Sequence, residues 1–360
     1  MKQHSKRTVG TAKKPAITVG IDIGDKFSCY CMVRRGEVVE EGRFRSNSDD
    51  LRKQFGGEKR MRIAMECGTH SPWMSRVLEE LGHEVIVGNA RKLELISGDD
   101  SKSDKRDAEQ LAMLADYHPK MLYAIRHRGA DQQRDLAVIQ ARAVLVRART
   151  MLINTTRSLV KATGKRLSGS SSASFGSTMK TKMPPELAEA LNPLVDQVAG
   201  LSAQIEAMDR QIEALVKKYP EIRKLRTVPG VGPLVAATYV LTLHDPKAAS
   251  NGRSAGAFLG LRPKRDQSGD HDPDGRITKS GNSYLRSLLI QSAHYVLGRF
   301  GPDSALRRWG LKLAGSGGKR AKKRTVVAVA RKLAVILHRL WRTGEIYQAF
   351  PEGRAKAVAV

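Results

Sequence analysis

Cysteine is nearly absent from this chain of 360 residues, which has only Cys29, Cys31 and Cys67. They form no CxxC pair and no CxxC…HxxxH spacing, which excludes a disulfide framework and a zinc finger and fits a reducing compartment. Long apolar runs are missing as well. The longest, such as 234–243, fall well short of the roughly 20 residues that a bilayer crossing requires. The basic residues at the N-terminus are followed by no apolar h-region. The expectation is a soluble, unsecreted protein of the cytoplasm with no membrane partner. Acidic residues are scarce relative to basic ones: 36 Asp and Glu face 63 Lys and Arg, a net charge of +27. Solvation does not require so much charge of one sign, so the expected partner is a polyanion. The 41% hydrophobic content excludes wholesale disorder. At roughly 100 to 200 residues per domain, the length suggests two or three cores.

What is present falls into blocks. Residues 1–15 read as a flexible basic arm. AITVGIDIG, SCYCMVRRG and VVEEGRFRS read as three short strands separated by glycine or charged turns. NSDDLRKQF then reads as a helix, MRIAMECG as a fourth strand, 72–81 as a helix closed by Gly82, and HEVIVGNA as a fifth strand. A helix from Asp104 to Tyr117 follows, with Ser101 or Ser103 as its N-cap. The order βββαβαβα predicts an α/β layer on a mixed sheet over 16–128, the order of a ribonuclease-H-like fold.

After Gly129 the strand signal stops. Leu136, Ile139, Ala143, Val146, Thr150 and Ile153 recur at alternating spacings of three and four, as do Leu194, Val198, Leu201, Ile205, Met208, Ile212 and Leu215. Two long helices are predicted, a coiled-coil arm over 129–218 that is either a hairpin within the chain or a dimerisation element. The Ser-rich stretch between them, 164–185, has no apolar period and is expected to be a flexible linker or a loop ordered by a partner. A mostly helical domain is predicted over 219–345, and a tail over 346–360. The fold class is α/β plus all-α.

A strongly basic protein keeps carboxylates at strand ends for a reason. Asp22 closes the first strand between Gly20 and Gly24, which leave the backbone open to a close ligand. Glu66 closes the fourth strand. Asp104 and Asp107 stand three apart on one helix, a rise of about 4.5 Å on nearly one face. In a ribonuclease-H-like sheet the first and fourth strands are neighbours, which brings the four carboxylates together. Such a group repels itself unless a cation joins it, and hard oxygen ligands suit Mg²⁺ or Mn²⁺. Taken singly, each acid could merely form a turn or favour a helix dipole; together, at these element ends, they read as a metal site. A sugar-kinase or actin-like reading would need a second D-x-G strand, which the chain lacks.

The basic part carries its own signals. VPGVGPLVAATYVL looks like a helix-hairpin-helix, whose Gly230 and Gly232 turn the chain so that amides face a nucleic-acid backbone. The next loop holds Arg262, Lys264, Arg265, Arg276, Lys279 and Arg286 and resembles a phosphate site. Ser268 and Ser280 both offer a hydroxyl there, and composition does not choose between them; either needs a base or a metal to attack phosphorus. From Arg299 to Glu345, 13 lysines and arginines stand against two acids. Within that stretch Lys319, Arg320, Lys322, Lys323 and Arg324 are placed for phosphate contact.

The acidic series Asp22, Glu66, Asp104 and Asp107, the helical arm, and the order PGVG…GLRPKRDQSG…ITKSGNSYLR together resemble the transposases of the IS-one-ten family of bacterial insertion sequences. The resemblance runs from about Ile17 to Trp341. It implies a RuvC-like domain whose four acids bind Mg²⁺ (or Mn²⁺) and act in catalysis. It also implies that Ser268 is the nucleophile of a covalent phosphoserine link to DNA. The implied partners are DNA, at element ends and target site, and a non-coding guide (bridge) RNA. A homo-oligomer, dimer or tetramer, is implied too, with one protomer's serine beside another's acids and the arms as joints. The implied location is the bacterial nucleoid. Asp270, His271, Asp272 and Asp274 make the serine loop more acidic than the family's usual pattern. Two rival readings are a RuvC-type endonuclease or junction resolvase using activated water, and a basic architectural protein with an inactive fold.

Overall fold

The computed structural model describes residues 15–57, 59–90, 103–247, 252–264, 275–315 and 317–351. They belong to two compact units, Met1–Ala130 and Asp131–Val360. The first is a five-stranded sheet in the order β3-β2-β1-β4-β5, built from β1 (Thr18–Asp22), β2 (Phe27–Arg34), β3 (Glu37–Arg45), β4 (Arg62–Glu66) and β5 (Glu84–Gly88). β3, β2 and β1 form an antiparallel meander, while β4 and β5 run parallel to β1. The first and fourth strands are therefore neighbours.

Alternation along the strands sorts their side chains between two layers. Val19, Ile21, Ile63 and Met65 pack with Leu51 and Phe55 of α1 (Ser48–Phe55) and with Met74 and Leu78 of α2 (Ser71–Glu80). On the opposite face, Cys31 and Val33 pack with Ala108 and Ala112 of α3 (Asp104–Tyr117), and Ala64 packs with its Leu111 and Ala115. Ser103 caps α3, its hydroxyl accepting from the Arg106 N–H; the rival cap, Ser101, lies outside the described residues. The other end of α3 is pinned to the sheet, where the buried Thr18 hydroxyl donates to Asp116 at 2.7 Å.

Gly20 has a different use from the one its place beside Asp22 suggests. A Cβ there would lie 2.0 Å from the Ala108 carbonyl oxygen and 2.5 Å from the Ala112 nitrogen. The missing side chain admits α3 rather than a ligand. Gly24 is likewise closed, since a Cβ would meet the Phe27 carbonyl at 2.1 Å.

The second unit is helical. α4 (Ala130–Ala162) and α6 (Pro185–Lys218) run antiparallel, joined by Arg142 to Asp209, Arg149 to Ser202 and Lys218 to Asp135. The two helices thus form a hairpin within one chain. Their tip corrects the expectation of a flexible linker over 164–185. It contains α5 (Phe175–Lys182), whose Phe175 and Met179 are fully buried with Ile153, Val160, Val195 and Val198. Phe175, Met179 and Met183 recur at the four-residue spacing of a helix face, a period hidden among serines, glycines and lysines.

The arm's base joins a larger core made by α7 (Pro220–Leu225), α8 (Pro233–Leu243), α10 (Ser283–Leu297), α11 (Ala305–Gly315) and α12 (Lys319–Thr343), with the short α9 (Gly252–Phe258) against α12. α8 is its centre: Tyr239 is wholly buried and donates to the Ala334 carbonyl at 2.8 Å. The first residues of the expected tail dock on this core, with Tyr347 packed against it and the Ala305 N–H donating to the Ala349 carbonyl.

Candidate active site and nucleic-acid interface

The acidic residues are positioned by register. β1 pairs with β4 in parallel, Ile21 opposite Met65, so the next residues, Asp22 and Glu66, end adjacent strands at the same edge. Asp22 follows Gly20, and Glu66 follows Ala64, on the face that carries α3. The helix runs back along β1 from Asp116 beside Thr18. Its N-terminus, with Asp104 and Asp107 in the first turn, therefore comes to the β1 end that carries Asp22. Cys29, the register partner of Asp22 across β1 and β2, feels both acids. Burial first, then the charges of Asp104 and Asp22, raise its thiol above the ordinary value, against Arg43 and Lys105.

The convergence expected for the four acids is here a shared edge rather than a closed cage. Among the described residues, no group of three or more His, Cys, Asp or Glu side chains is placed to hold a metal ion. Like charges crowded together destabilise one another, which disfavours closing the group without a cation. The donor chemistry nevertheless fits a hard divalent cation, since every ligand on offer is a carboxylate oxygen.

The loops around this edge are braced. His70 lies 3.6 Å from Asp25, linking the loop after β4 to the loop after β1, and its Nδ1 accepts from the Trp73 indole at 3.0 Å. The Ser71 hydroxyl sits 2.9 Å from His127 and donates to the Gly68 carbonyl. Sequence reading missed Asp25, His70, Ser71, Trp73 and His127, because none belongs to a recognised spacing.

In the second unit, α7 and α8 are joined by a turn through Val228 and Gly232. Gly230 takes a φ of +78°, which favours glycine. α8 starts at Pro233 with no side-chain cap, so its first N–H groups lack intrahelical partners. Beyond it the chain forms a narrow ribbon: the Lys264 N–H donates to the Arg276 carbonyl at 2.8 Å and the Thr278 N–H to that of Arg262 at 2.9 Å. The chain thus enters and leaves 265–274 side by side. Ser268 and Arg265, with Asp270, His271, Asp272 and Asp274, lie outside the described residues. Ser280 is half-buried, its hydroxyl 3.1 Å from that of Thr278.

The expected phosphate ligands divide. Arg262, Lys264, Arg276 and Lys279 are exposed. Arg286 is committed to structure, donating to the Leu259 and Ser280 carbonyls at 3.1 and 2.8 Å. Its place one turn into α10, just after the Gly281 bend, gave that use to it. Lys319, Arg320, Lys322, Lys323 and Arg324 are all exposed in the opening turns of α12.

A mixed sheet with carboxylates at one edge, followed by a basic helical unit, fits an acidic, ribonuclease-H-like domain joined to a helical one. Two family models match this chain. One for acidic-tetrad transposases, described as "Transposase", covers residues 19–164, and one described as "Transposase IS116/IS110/IS902 family" covers 222–308. A probable family 20 transposase of Pseudomonas aeruginosa is 34% identical over 76% of this chain and 82% of its own length. A putative transposase of Sinorhizobium fredii is 32% identical over 82% of this chain and 76% of its own. The transposase for insertion sequence element IS1328 of Yersinia enterocolitica is 26% identical over 92% and 99%. The chain belongs to the IS110 family of insertion-sequence transposases. DNA is accordingly its partner, and the acidic domain implies dependence on a divalent metal. No described helix is long and apolar enough to cross a membrane.

Proposed function

We propose that this transposase excises and inserts its element by serine-mediated strand exchange, directed by a non-coding guide RNA. The observation that carries the reading is the common edge of Asp22 and Glu66, to which the N-terminus of α3 brings Asp104 and Asp107. Asp22, Glu66, Asp104 and Asp107 would hold the metal, Mg²⁺ or Mn²⁺. A divalent cation there supplies charge neutralisation at the phosphate and eases ionisation of a hydroxyl.

The chain's own residues do the rest. The Ser268 Oγ attacks a backbone phosphorus; the Oγ–P bond forms as the P–O bond to the deoxyribose breaks. The serine proton passes to a carboxylate oxygen, which hands it on to the departing oxygen, so that the deoxyribose leaves as a hydroxyl. Because the phosphodiester is exchanged rather than hydrolysed, a new strand's hydroxyl can reverse the attack and rejoin. Arg262, Lys264, Arg276 and Lys279, exposed on and beside the ribbon, grip the phosphates flanking the break. Gly230 and Gly232 offer turn amides, and the cations at the start of α12 add backbone contacts that carry no sequence preference. Sequence choice then falls to pairing with the guide RNA. Arm-to-arm contact between protomers assembles the homo-oligomer.

The test is Ser268→Ala with purified protein, element-end DNA and the RNA transcribed beside the element. The expected result is loss of both protein-linked DNA and strand exchange. Cleavage at full rate by Ser268→Ala would instead establish hydrolysis by activated water. Activity that is indifferent to the added RNA would remove the guide from the scheme.

A further inference from the structure

Beside the turn joining α7 and α8 lies an open cavity of about 490 Å³, within the size range of small-ligand sites. Its lining includes Arg226, Gly230, Val235, Leu288, Gln291 and Tyr295. The Tyr295 ring packs against the turn: a Cβ on Gly230 would lie 3.0 Å from its Cδ1. The turn is fixed there from α10, whose Ser292 hydroxyl donates to the Gly230 carbonyl at 2.7 Å. Yet Tyr295 remains 47% exposed, a large aromatic surface left uncovered beside the cavity. Val235 and Leu288 supply apolar wall. Gln291 and Arg226 supply amide and guanidinium groups, the latter held by Glu213 at 2.8 Å.

We infer that this cavity receives the base of an unpaired nucleotide, which stacks on Tyr295 while its phosphate meets the N-terminal amides of α8. The inference rests on the reading of this turn as a backbone grip and adds a base site to it. A flat ring with apolar faces and a polar rim matches a cavity with one aromatic surface, an apolar wall and polar groups at the edge. A fully paired duplex leaves the cavity empty, because its bases are stacked within the helix.

The experiment uses the full chain with duplexes carrying 2-aminopurine, either paired or as a one-nucleotide bulge, in DNA and in RNA. The expected result is quenched emission and about tenfold tighter binding of the bulged probe, the scale of one base stacked on an aromatic side chain. Whichever polymer shows it supplies the nucleotide. Tyr295→Ala is expected to remove quenching and preference while leaving paired-duplex affinity unchanged, and Tyr295→Phe to keep both. If Tyr295→Ala melts early, Tyr295→Leu, which keeps an apolar side chain against the turn but offers no ring, replaces it in the same comparison. Preference and quenching that survive the substitution overturn the base site. If wild type binds paired duplex but shows no preference for the bulge, the base site falls and the backbone grip stands; if Gly230→Val leaves paired-duplex binding intact, the grip falls.

Discussion

The two units place their charged side chains by opposite means. In the sheet unit, Asp22 and Glu66 are fixed by strand register, and Asp104 by a helix seated on a strand without a side chain at Gly20. In the helical unit, the exposed cations stand on a turn, a ribbon and a helix start, where each can move without disturbing a core. The acidic edge is therefore precise and unforgiving, whereas the basic surface is distributed and redundant. Such a division suits phosphoryl transfer, in which charge must be placed finely at the reacting phosphorus and only roughly along the strand.

That contrast can be broken at several points. Gly20→Leu drives a side chain into the α3 backbone and is expected to unfold the sheet unit, read as loss of its cooperative melting transition; Gly20→Ala costs about 1–3 kcal/mol by overpacking. Phe175→Ala should cost about 3–5 kcal/mol, measured by denaturant unfolding; a negligible change would mean that the tip of the arm is not packed. Asp104→Asn is expected to slow strand cleavage by about a hundredfold or more while leaving DNA affinity and melting temperature in place. Were its affinity to fall equally, Asp104 would belong to binding rather than chemistry. Lys322→Ala and Lys323→Ala should each weaken DNA binding a few-fold and reduce the slope of log affinity against log salt by up to about 0.9. A lost slope without lost specificity would confirm their indifference to sequence.

The sheet was legible because strand residues alternate and glycines mark the turns, so five strands and the helix Asp104–Tyr117 could be read directly. The element ends that carry Asp22, Glu66, Asp104 and Asp107 could be read with them; the joint use of these acids is the proposal made above. What could not be read was the direction in which a pattern is spent. The heptads of α4 and α6 serve a hairpin or a dimer equally well, and the pairing of Arg142 with Asp209 becomes visible only once the chain has folded back. Phe175 and Met179 form a helix face too short to stand out from its serines. Gly20 resembled a ligand-facing glycine until α3 was seen to occupy the space, and Arg286 resembled a phosphate ligand until its donors were traced to carbonyls.

The start of α12 has a thermodynamic consequence. Five cations crowd the end of a helix where the dipole is already positive, with no acid in the first turn and no side-chain cap. Alone, that end is under electrostatic tension; with phosphates beside it, the same residues become favourable. Nucleic acid held there as proposed would act as a folding ligand for the basic unit, raising its heat resistance by an amount that grows with ligand concentration and shrinks with salt.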